Sequence, residues 1–197
     1  TEAQNISAYI PTNLISITDG QIYLSPSLFE LGVLPAVDVG KSVSRVGGKA
    51  QRAVFRLVAG DLKLTYAQFE ELETFARFGA SLDEDTAKSI GHGRRIRASL
   101  RQPESSPLPV SEQIILLLAL TSGLLDTVEL TQMTEAKNIL REMINNLQSD
   151  ISERLENAAS LSDEDRNSII ELSKNALSGI NTDKVGFVHK KESEKHE

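Results

Sequence analysis

The sequence predicts a mainly α-helical protein, in which a helical bundle follows a short α/β segment over residues 1–51. Three observations lead to this fold class. After residue 51, apolar residues recur at intervals of three and four, as amphipathic helices require. Before that point, short β-prone runs alternate with glycine and proline. The 197 residues are 40% hydrophobic, which is enough to build a substantial core.

The α/β segment begins with two β-prone runs, residues 14–18 and 21–24, on either side of Asp19-Gly20. This dipeptide is typical of tight turns, so we expect a hairpin. Ser25 then predicts a helix cap, with a proline in the first turn and a glycine stop at Gly32. Residues 33–46 are β-prone again and predict a return to a sheet edge.

Helical patterns continue to residue 179. Thr65, Ser81 and Ser162 fit the cap position of three helices, and Gly79 fits a helix stop. We predict helices over residues 65–78, 81–101, 114–125, 135–158 and 162–179, with a proline-rich loop after residue 102. Residues 182–197 are polar with mixed charge and predict a disordered tail.

Composition excludes several classes of function. The net charge of −7 argues against nucleic-acid binding, which usually needs a basic face. No cysteine is present, and the three histidines are scattered, so no metal site is predicted. The longest apolar run, residues 114–120, is shorter than the ~20 residues that span a bilayer. The amino terminus has no secretory signal and no initiator Met, so we expect the chain to begin within a longer protein.

Arg45 is the strongest candidate for chemistry, in the run Ser42-Val-Ser-Arg-Val-Gly-Gly48. A guanidinium stays charged and can stabilise a transferring phosphoryl group, while the serines and glycines allow close backbone approach. The alternative is a structural salt bridge near a helix start. Similarly, Ser16 and Asp19-Gly20 fit either an ordinary turn or a polar lining at strand ends. The chain contains no phosphate loop of the form G-x-x-x-x-G-K-S/T.

A second cluster of charge, Arg94, Arg95 and Arg97 with Arg101 one turn later, lies on the helix predicted over residues 81–101. We expect these arginines to form a solvated face or to pair with carboxylates such as Glu104.

Two motifs carry a family resemblance: Ile10-Pro-Thr-Asn-Leu-Ile-Ser-Ile-Thr-Asp-Gly-Gln21 and the run around Arg45. They resemble the carboxyl-terminal part of alpha subunits of F-type, proton- or sodium-driven ATP synthases. The likeness is good over residues 1–130 and weaker in the last third. It implies that residues 1–51 complete a RecA-like P-loop nucleotide-binding domain and that residues 52–181 form the carboxyl-terminal helical domain.

The resemblance also implies roles for individual residues. Arg45 would be the arginine that reaches, in trans, a catalytic nucleotide on a neighbouring beta subunit. Ser16 would line the phosphate side of that interface with Gly20 packed nearby, and Ser44 matches another residue of the interface. All four positions lie in the two quoted motifs.

A separate, non-catalytic nucleotide is implied on the alpha subunit itself. Pro35 and Gln102 match the positions that contact its adenine. The chain departs from the family at Leu34, where arginine is frequent, and at Glu104, where glutamine is frequent. A carboxylate near a nucleotide would repel phosphate.

The implied setting is the catalytic head, a peripheral membrane complex on the cytoplasmic side of the bacterial plasma membrane. The resemblance implies beta, gamma and delta subunits as partners and ATP/ADP with Mg as ligands, and a role in coupling ion transport to ATP synthesis or hydrolysis. The family's phosphate loop would lie upstream, so the chain alone is expected to be inactive and to bind no cofactor tightly. The alternative is a non-catalytic helical assembly protein derived from the alpha subunit.

Overall fold

The computed structural model of the chain describes residues 5–77, 83–147, 149–157 and 161–180. Most of these residues are helical, and one small sheet lies near the amino terminus, so the predicted fold class is confirmed. The elements in chain order are α1 (Tyr9–Ile17), β1 (Gly20–Leu24), α2 (Pro26–Glu30), β2 (Val37–Ser44), α3 (Gly47–Ala50), α4 (Ala53–Ala59), α5 (Leu62–Arg77), α6 (Glu84–Leu100), α7 (Val110–Thr121), α8 (Met133–Ile144), α9 (Ser149–Asn157) and α10 (Asp163–Leu177).

The sheet pairs β1 with β2 in antiparallel register, from Gly20 opposite Ser44 to Leu24 opposite Val37. The predicted hairpin of residues 14–18 with residues 21–24 is therefore wrong, because residues 14–17 belong to α1. One feature is compatible with this helix: a proline in its first turn has a helix-compatible φ. The Ser16 hydroxyl donates to the carbonyl four residues earlier, at 2.9 Å.

The other predictions for this segment are confirmed. The Ser25 hydroxyl accepts a hydrogen bond from the Leu28 N–H at 3.4 Å and caps α2, whose first residue is Pro26. Gly32 follows the helix with a φ of +68°, which glycine adopts at little cost. The strand β2 falls within the predicted residues 33–46.

The core lies in the helical part of the chain, around α7. This helix is apolar on all sides, contains buried residues from Ile114 to Leu120, and contacts α4, α8, α9 and α10. Such a helix is stable only when other helices surround it. The core cluster consists of Val54, Val58, Tyr66, Phe69, Ile90, Ile96, Ile114, Ile115, Leu116, Leu118, Ala119, Leu120, Leu125, Val128, Met133, Ala136, Leu140, Met143, Leu147, Ile151, Leu155, Leu161, Ile169, Leu177 and Ile180.

The helices α5 and α6 pack beside this core at very close range. Gly93 of α6 faces the ring of Phe69, and a Cβ at Gly93 would lie 2.0 Å from the ring carbon Cγ. The α/β segment contacts the bundle at the same place, because β2 packs on α5 and Lys63 donates to the Ser42 carbonyl at 2.8 Å. Across the described ranges, no helix combines the length and apolarity that a membrane span needs.

Several predicted helix boundaries need correction. Thr65 is not a cap, since α5 begins at Leu62 and the Thr65 hydroxyl donates to the Asp61 carbonyl at 3.0 Å. The cap of α6 is Asp83, whose carboxylate accepts the Thr86 N–H at 2.7 Å. The helix predicted over residues 114–125 instead covers residues 110–121. The predicted features at Gly79 and Ser81 and the tail at 182–197 lie outside the described residues.

The single long helix predicted over residues 135–158 is also wrong, because the chain forms α8 and α9 with a turn between them. The N–H groups of Asn146 and Leu147 bond to carbonyls three residues back, at 2.9 and 3.1 Å, and this tightens and ends α8. Two consecutive asparagines, poor helix formers, precede Leu147. At α10, Ser162 is the cap as predicted, and its hydroxyl accepts the Asp165 N–H at 3.1 Å.

Candidate functional site

Arg45 directly follows β2, where that strand ends beside the beginning of β1. Its backbone N–H donates to the Asp19 carbonyl at 2.8 Å, which fixes the chain on leaving the sheet. Its guanidinium Nη2 is 3.4 Å from the Ile15 carbonyl, near the end of α1. The Arg45 side chain is therefore exposed at the junction of α1, β1 and β2.

Two glycines allow the close backbone approach around Arg45. Gly20 has a φ of +155°, and a Cβ there would lie 2.3 Å from the Val43 carbonyl oxygen, so a larger residue would separate the strands. The Ser44 hydroxyl accepts the Gly47 N–H at 2.8 Å and bends the chain on the other side of Arg45. Gly20, Ser44 and Gly47, from the two motifs, therefore shape the backbone around Arg45.

The alternative of a structural salt bridge at Arg45 finds no support in the described part of the chain. The hydrogen-bond partner of its guanidinium there is a backbone carbonyl, and no carboxylate forms an ion pair with it. A guanidinium retains its charge without such a partner. The arrangement can therefore present a cation to an external anion.

Ser16 lies in the last turn of α1, not at a strand end as we expected, and its hydroxyl donates within the helix. The side chain is exposed on the helix that also supplies the Ile15 carbonyl to Arg45. Ser44 and Gly20 are opposite each other in the sheet. These four candidates, Arg45, Ser16, Ser44 and Gly20, come together around one junction.

Pro35 and Gln102 belong to a second location. The Gln102 N–H donates to the Leu34 carbonyl at 3.0 Å, so the loop before β2 meets the end of α6. The Gln102 side chain donates to the Ser106 carbonyl at 2.6 Å. Leu34 and Gln102 line a cavity of about 470 Å³, whereas Pro35 lines a neighbouring cavity of about 180 Å³.

The larger cavity contains Arg101, which the sequence placed in a charge cluster, and two basic residues that the sequence did not single out. Arg101, Lys137 and Arg141 line it together with Thr134 and Asn138, all but Arg101 from α8. Burial lowers the pKa of Lys137, and the nearby charges of Arg141 and Arg101 lower it further. The spacing of residues in the sequence could not have predicted this basic cluster, because α6 and α8 are distant in the chain and are brought together only by folding.

As predicted, arginines of α6 pair with a carboxylate, but this carboxylate comes from α5. Arg97 Nη1 lies 2.7 Å from a carboxylate oxygen of Glu73 on α5, and Arg94 also pairs with Glu73, at 3.4 Å. Glu104 forms none of these pairs. Arg94 and Arg97 therefore join α6 to α5, a structural role, and Arg95 donates to the Val128 carbonyl at 2.8 Å.

His92, the histidine in the described part of the chain, has a carboxylate partner. His92 Nδ1 contacts an oxygen of Asp126 in the loop after α7, and this hydrogen bond raises the pKa of His92. Within the described ranges, no group of three histidine, aspartate or glutamate side chains is placed to hold a metal ion.

Comparison with known proteins connects this arrangement with a family. Residues 51–176 match the family model of the ATP synthase alpha/beta chain, C terminal domain. The chain belongs to the ATP synthase alpha/beta family. Residues 1–44 match the nucleotide-binding domain of the same family. The resemblance inferred from the motifs is confirmed, and the family match extends to residue 176, well into the last third, where we expected a weaker likeness.

Relatives within the family are named as alpha subunits. The chain is 69% identical over 180 residues to ATP synthase subunit alpha 2 of Albidiferax ferrireducens, covering 91% of the chain and 34% of that protein. It is 65% identical over 183 residues to ATP synthase subunit alpha 1 of a Marinomonas species, covering 93% and 36% respectively. The chain thus spans about a third of the length of the curated relatives it matches.

Proposed function

We propose that this chain acts as the carboxyl-terminal part of an ATP synthase alpha subunit and lends Arg45 to a catalytic site on a neighbouring beta subunit. The observation that carries the proposal is the exposed guanidinium of Arg45, which has a backbone carbonyl as its partner and no carboxylate within the described residues. Its place in a family whose relatives are alpha subunits supports the same role.

The mechanism is electrostatic stabilisation in trans. The Arg45 guanidinium donates to the oxygens of the phosphoryl group that is transferred in the neighbouring site, where negative charge spreads in the transition state. The hydrogen bond from the Arg45 N–H to Asp19 and the bend at Ser44 hold the backbone in advance, so little reorganisation is needed. ATP with Mg is the substrate of that site, and Ser16 lies on the adjoining helix.

A non-catalytic nucleotide contact is the second part of the proposal. The loop of Leu34 and Pro35 and the residue Gln102 would lie against adenine, and the hydrogen bond between Gln102 and Leu34 supports their acting together. Leu34 offers an apolar face in place of a cation. We therefore expect base contact at Leu34 without the additional phosphate contact that an arginine at this one position would make.

The proposed assembly rests on the family resemblance, and relatives named as ATP synthase alpha subunits support it. Residues 1–51 would complete the nucleotide-binding domain and residues 52–181 would form the helical domain, with a polar tail after them. The partners would be beta, gamma and delta subunits in a peripheral complex on the cytoplasmic side of the bacterial plasma membrane. There the complex would couple ion transport to ATP synthesis or hydrolysis.

One observation favours a second candidate, the non-catalytic assembly protein. The core cluster begins at Val54, while the sheet segment buries only Leu28 and Ala36 among its described apolar residues. A bundle with its own core could bind partners without the Arg45 junction.

Reassembly with beta and gamma subunits separates the two candidates. The full-length alpha subunit would carry Arg45→Ala or, as the control, Arg52→Ala. Arg52 is also exposed and also donates to a backbone carbonyl, that of Glu156 at 2.9 Å. We expect Arg45→Ala to assemble normally and to lose multi-site turnover, while Arg52→Ala retains it. Normal turnover with Arg45→Ala would favour the assembly protein.

A further inference from the structure

Among the described residues, the cavity of about 470 Å³ between α6 and α8 is lined by basic residues and by no acidic residue, although the chain as a whole has a net charge of −7. Its walls are the loop at Gly32 and Leu34, the end of α6 with Arg101 and Gln102, and α8. We call this cavity the basic cleft. The sheet separates the basic cleft from Arg45. Leu34 of the cleft precedes the sheet end where Leu24 pairs with Val37, whereas Arg45 follows the opposite end, where Gly20 pairs with Ser44.

Three cations line the basic cleft, and one of them has a carboxylate partner. Arg141 Nε lies 2.8 Å from Glu112. Lys137 Nζ donates to the Arg101 carbonyl at 2.7 Å, and Arg101 Nη2 donates to the Gly32 carbonyl at 2.9 Å. In the described ranges no carboxylate pairs with Arg101 or Lys137, although the whole chain has 28 acidic and 21 basic residues.

Local structure stabilises the charge of two of these cations but not that of Lys137. Arg101 follows the last turn of α6, where a cation complements the helix dipole. Arg141 forms an ion pair and lies in the last turn of α8. Lys137 lies in the middle of α8, half-buried beside the other two charges. Placing a cation there costs free energy unless an anion is close, and the lowered pKa of Lys137 has the same origin.

The neutral residues of the basic cleft suit the same kind of ligand. Thr134 lies one turn before Lys137 on α8, and Asn138 follows it. A hydroxyl and an amide donate hydrogen bonds to oxyanions, and an ammonium contributes charge. The volume exceeds what one phosphate group occupies.

We propose that the basic cleft binds a phosphate-class oxyanion, with Lys137 and Arg101 as charged donors and Thr134 and Asn138 as neutral ones. Oxyanion binding here is independent of the trans role of Arg45. Oxyanion binding also differs from the proposed adenine contact, because the cleft would recognise the phosphate group itself and would bind inorganic phosphate that carries no nucleobase.

Phosphate titration of the full chain tests this site directly. Backbone amide NMR shifts would be followed with inorganic phosphate at constant ionic strength, balanced with chloride. We expect saturable shifts confined to residues 32–34, 101–106 and 134–141. Lys137→Met keeps the aliphatic stem and should weaken phosphate binding at least about tenfold, because a charge-assisted hydrogen bond is lost. Arg101→Met is the second variant and should weaken it similarly.

Lys88→Met is the matched control. Lys88 is an exposed lysine of α6 that pairs with Glu84 at 2.7 Å, so this variant removes the same charge elsewhere. We expect it to leave phosphate affinity unchanged. Equal weakening by Lys88→Met, or the absence of saturable shifts, would overturn the proposal. A third arm uses adenosine, which should shift the amides of Leu34 and Gln102 through the proposed base contact in the wild type and in Lys137→Met alike. If inorganic phosphate also shifted the amides of both proteins equally, the oxyanion site would be refuted.

Discussion

Gly93→Ala should destabilise the protein even though alanine is the better helix former. Gly93 lies within α6, where alanine is favoured over glycine by about 1 kcal/mol. Its added methyl group would lie 2.0 Å from Phe69 Cγ and 2.3 Å from Phe69 Cδ2. Carbon atoms pack at about 3.5–4.0 Å, so α5 and α6 would have to separate by roughly 1.5 Å.

The neighbourhood gives Phe69 little room to move. Its side chain is 1% exposed, and the Arg97 guanidinium lies 4.6 Å from the ring centre. Overpacking of this kind costs about 1–3 kcal/mol, and the close contact here favours the upper end. After subtracting the gain in helix propensity, we expect the free energy of unfolding to fall by about 2 kcal/mol.

Urea denaturation followed by circular dichroism measures this difference. Gly91→Ala is the control, because it makes the same change on the same helix. A Cβ there would lie 3.2 Å from Arg95 Nη1, the far end of a flexible side chain and not a packed ring, so we expect unchanged or slightly higher stability. If Gly93→Ala proved as stable as Gly91→Ala, the close packing of α5 on α6 would be refuted.

Two further predictions concern ion pairs. The hydrogen bond to Asp126 raises the pKa of His92 above its usual 6.5, so this bond should stabilise the fold fully below pH 6.5 and progressively less as pH rises through the folded-state pKa. Asp126→Asn should lower the His92 pKa in an NMR titration and flatten the pH dependence of stability. An unaltered His92 pKa in this variant would disprove the assignment. Arg154 holds Asp165 through two hydrogen bonds, at 2.9 and 2.7 Å, but is itself 44% exposed. Arg154→Met should therefore cost only about 1 kcal/mol in thermal unfolding at neutral pH. The lowered pKa of Asp165 means that this loss should shrink as pH falls through that folded-state pKa, and a loss independent of pH would contradict the assignment.

Local signals could be predicted from the sequence because they act over a few residues. Ser25 and Ser162 each cap a helix by bonding to an N–H three positions later, so the neighbouring residues alone reveal them. The break between α8 and α9 was missed for the opposite reason. Leu147 and Ile151 stay buried on both sides of it, so the apolar pattern continues although the backbone turns.

In the candidate site, too, some features could be predicted from the sequence and others could not. The glycines and serines around Arg45 could be recognised because two short motifs contain all of them. The partners of His92 and Lys137 could not be predicted from the sequence, because packing between distant parts of the chain brings each pair together. Helix α1 was missed because its isoleucines favour strands.

The trans role of Arg45 is tested most directly by a transition-state mimic. The measurement is the affinity of the reassembled complex for Mg-ADP with a planar metal fluoride, compared between wild type and Arg45→Ala. A residue that acts only on the transferring phosphoryl group contributes to binding of the mimic and little to binding of ADP. We predict that Arg45→Ala retains ADP affinity and weakens binding of the mimic by about 10³ or more. Equal affinity for the mimic in both complexes would contradict the proposed role.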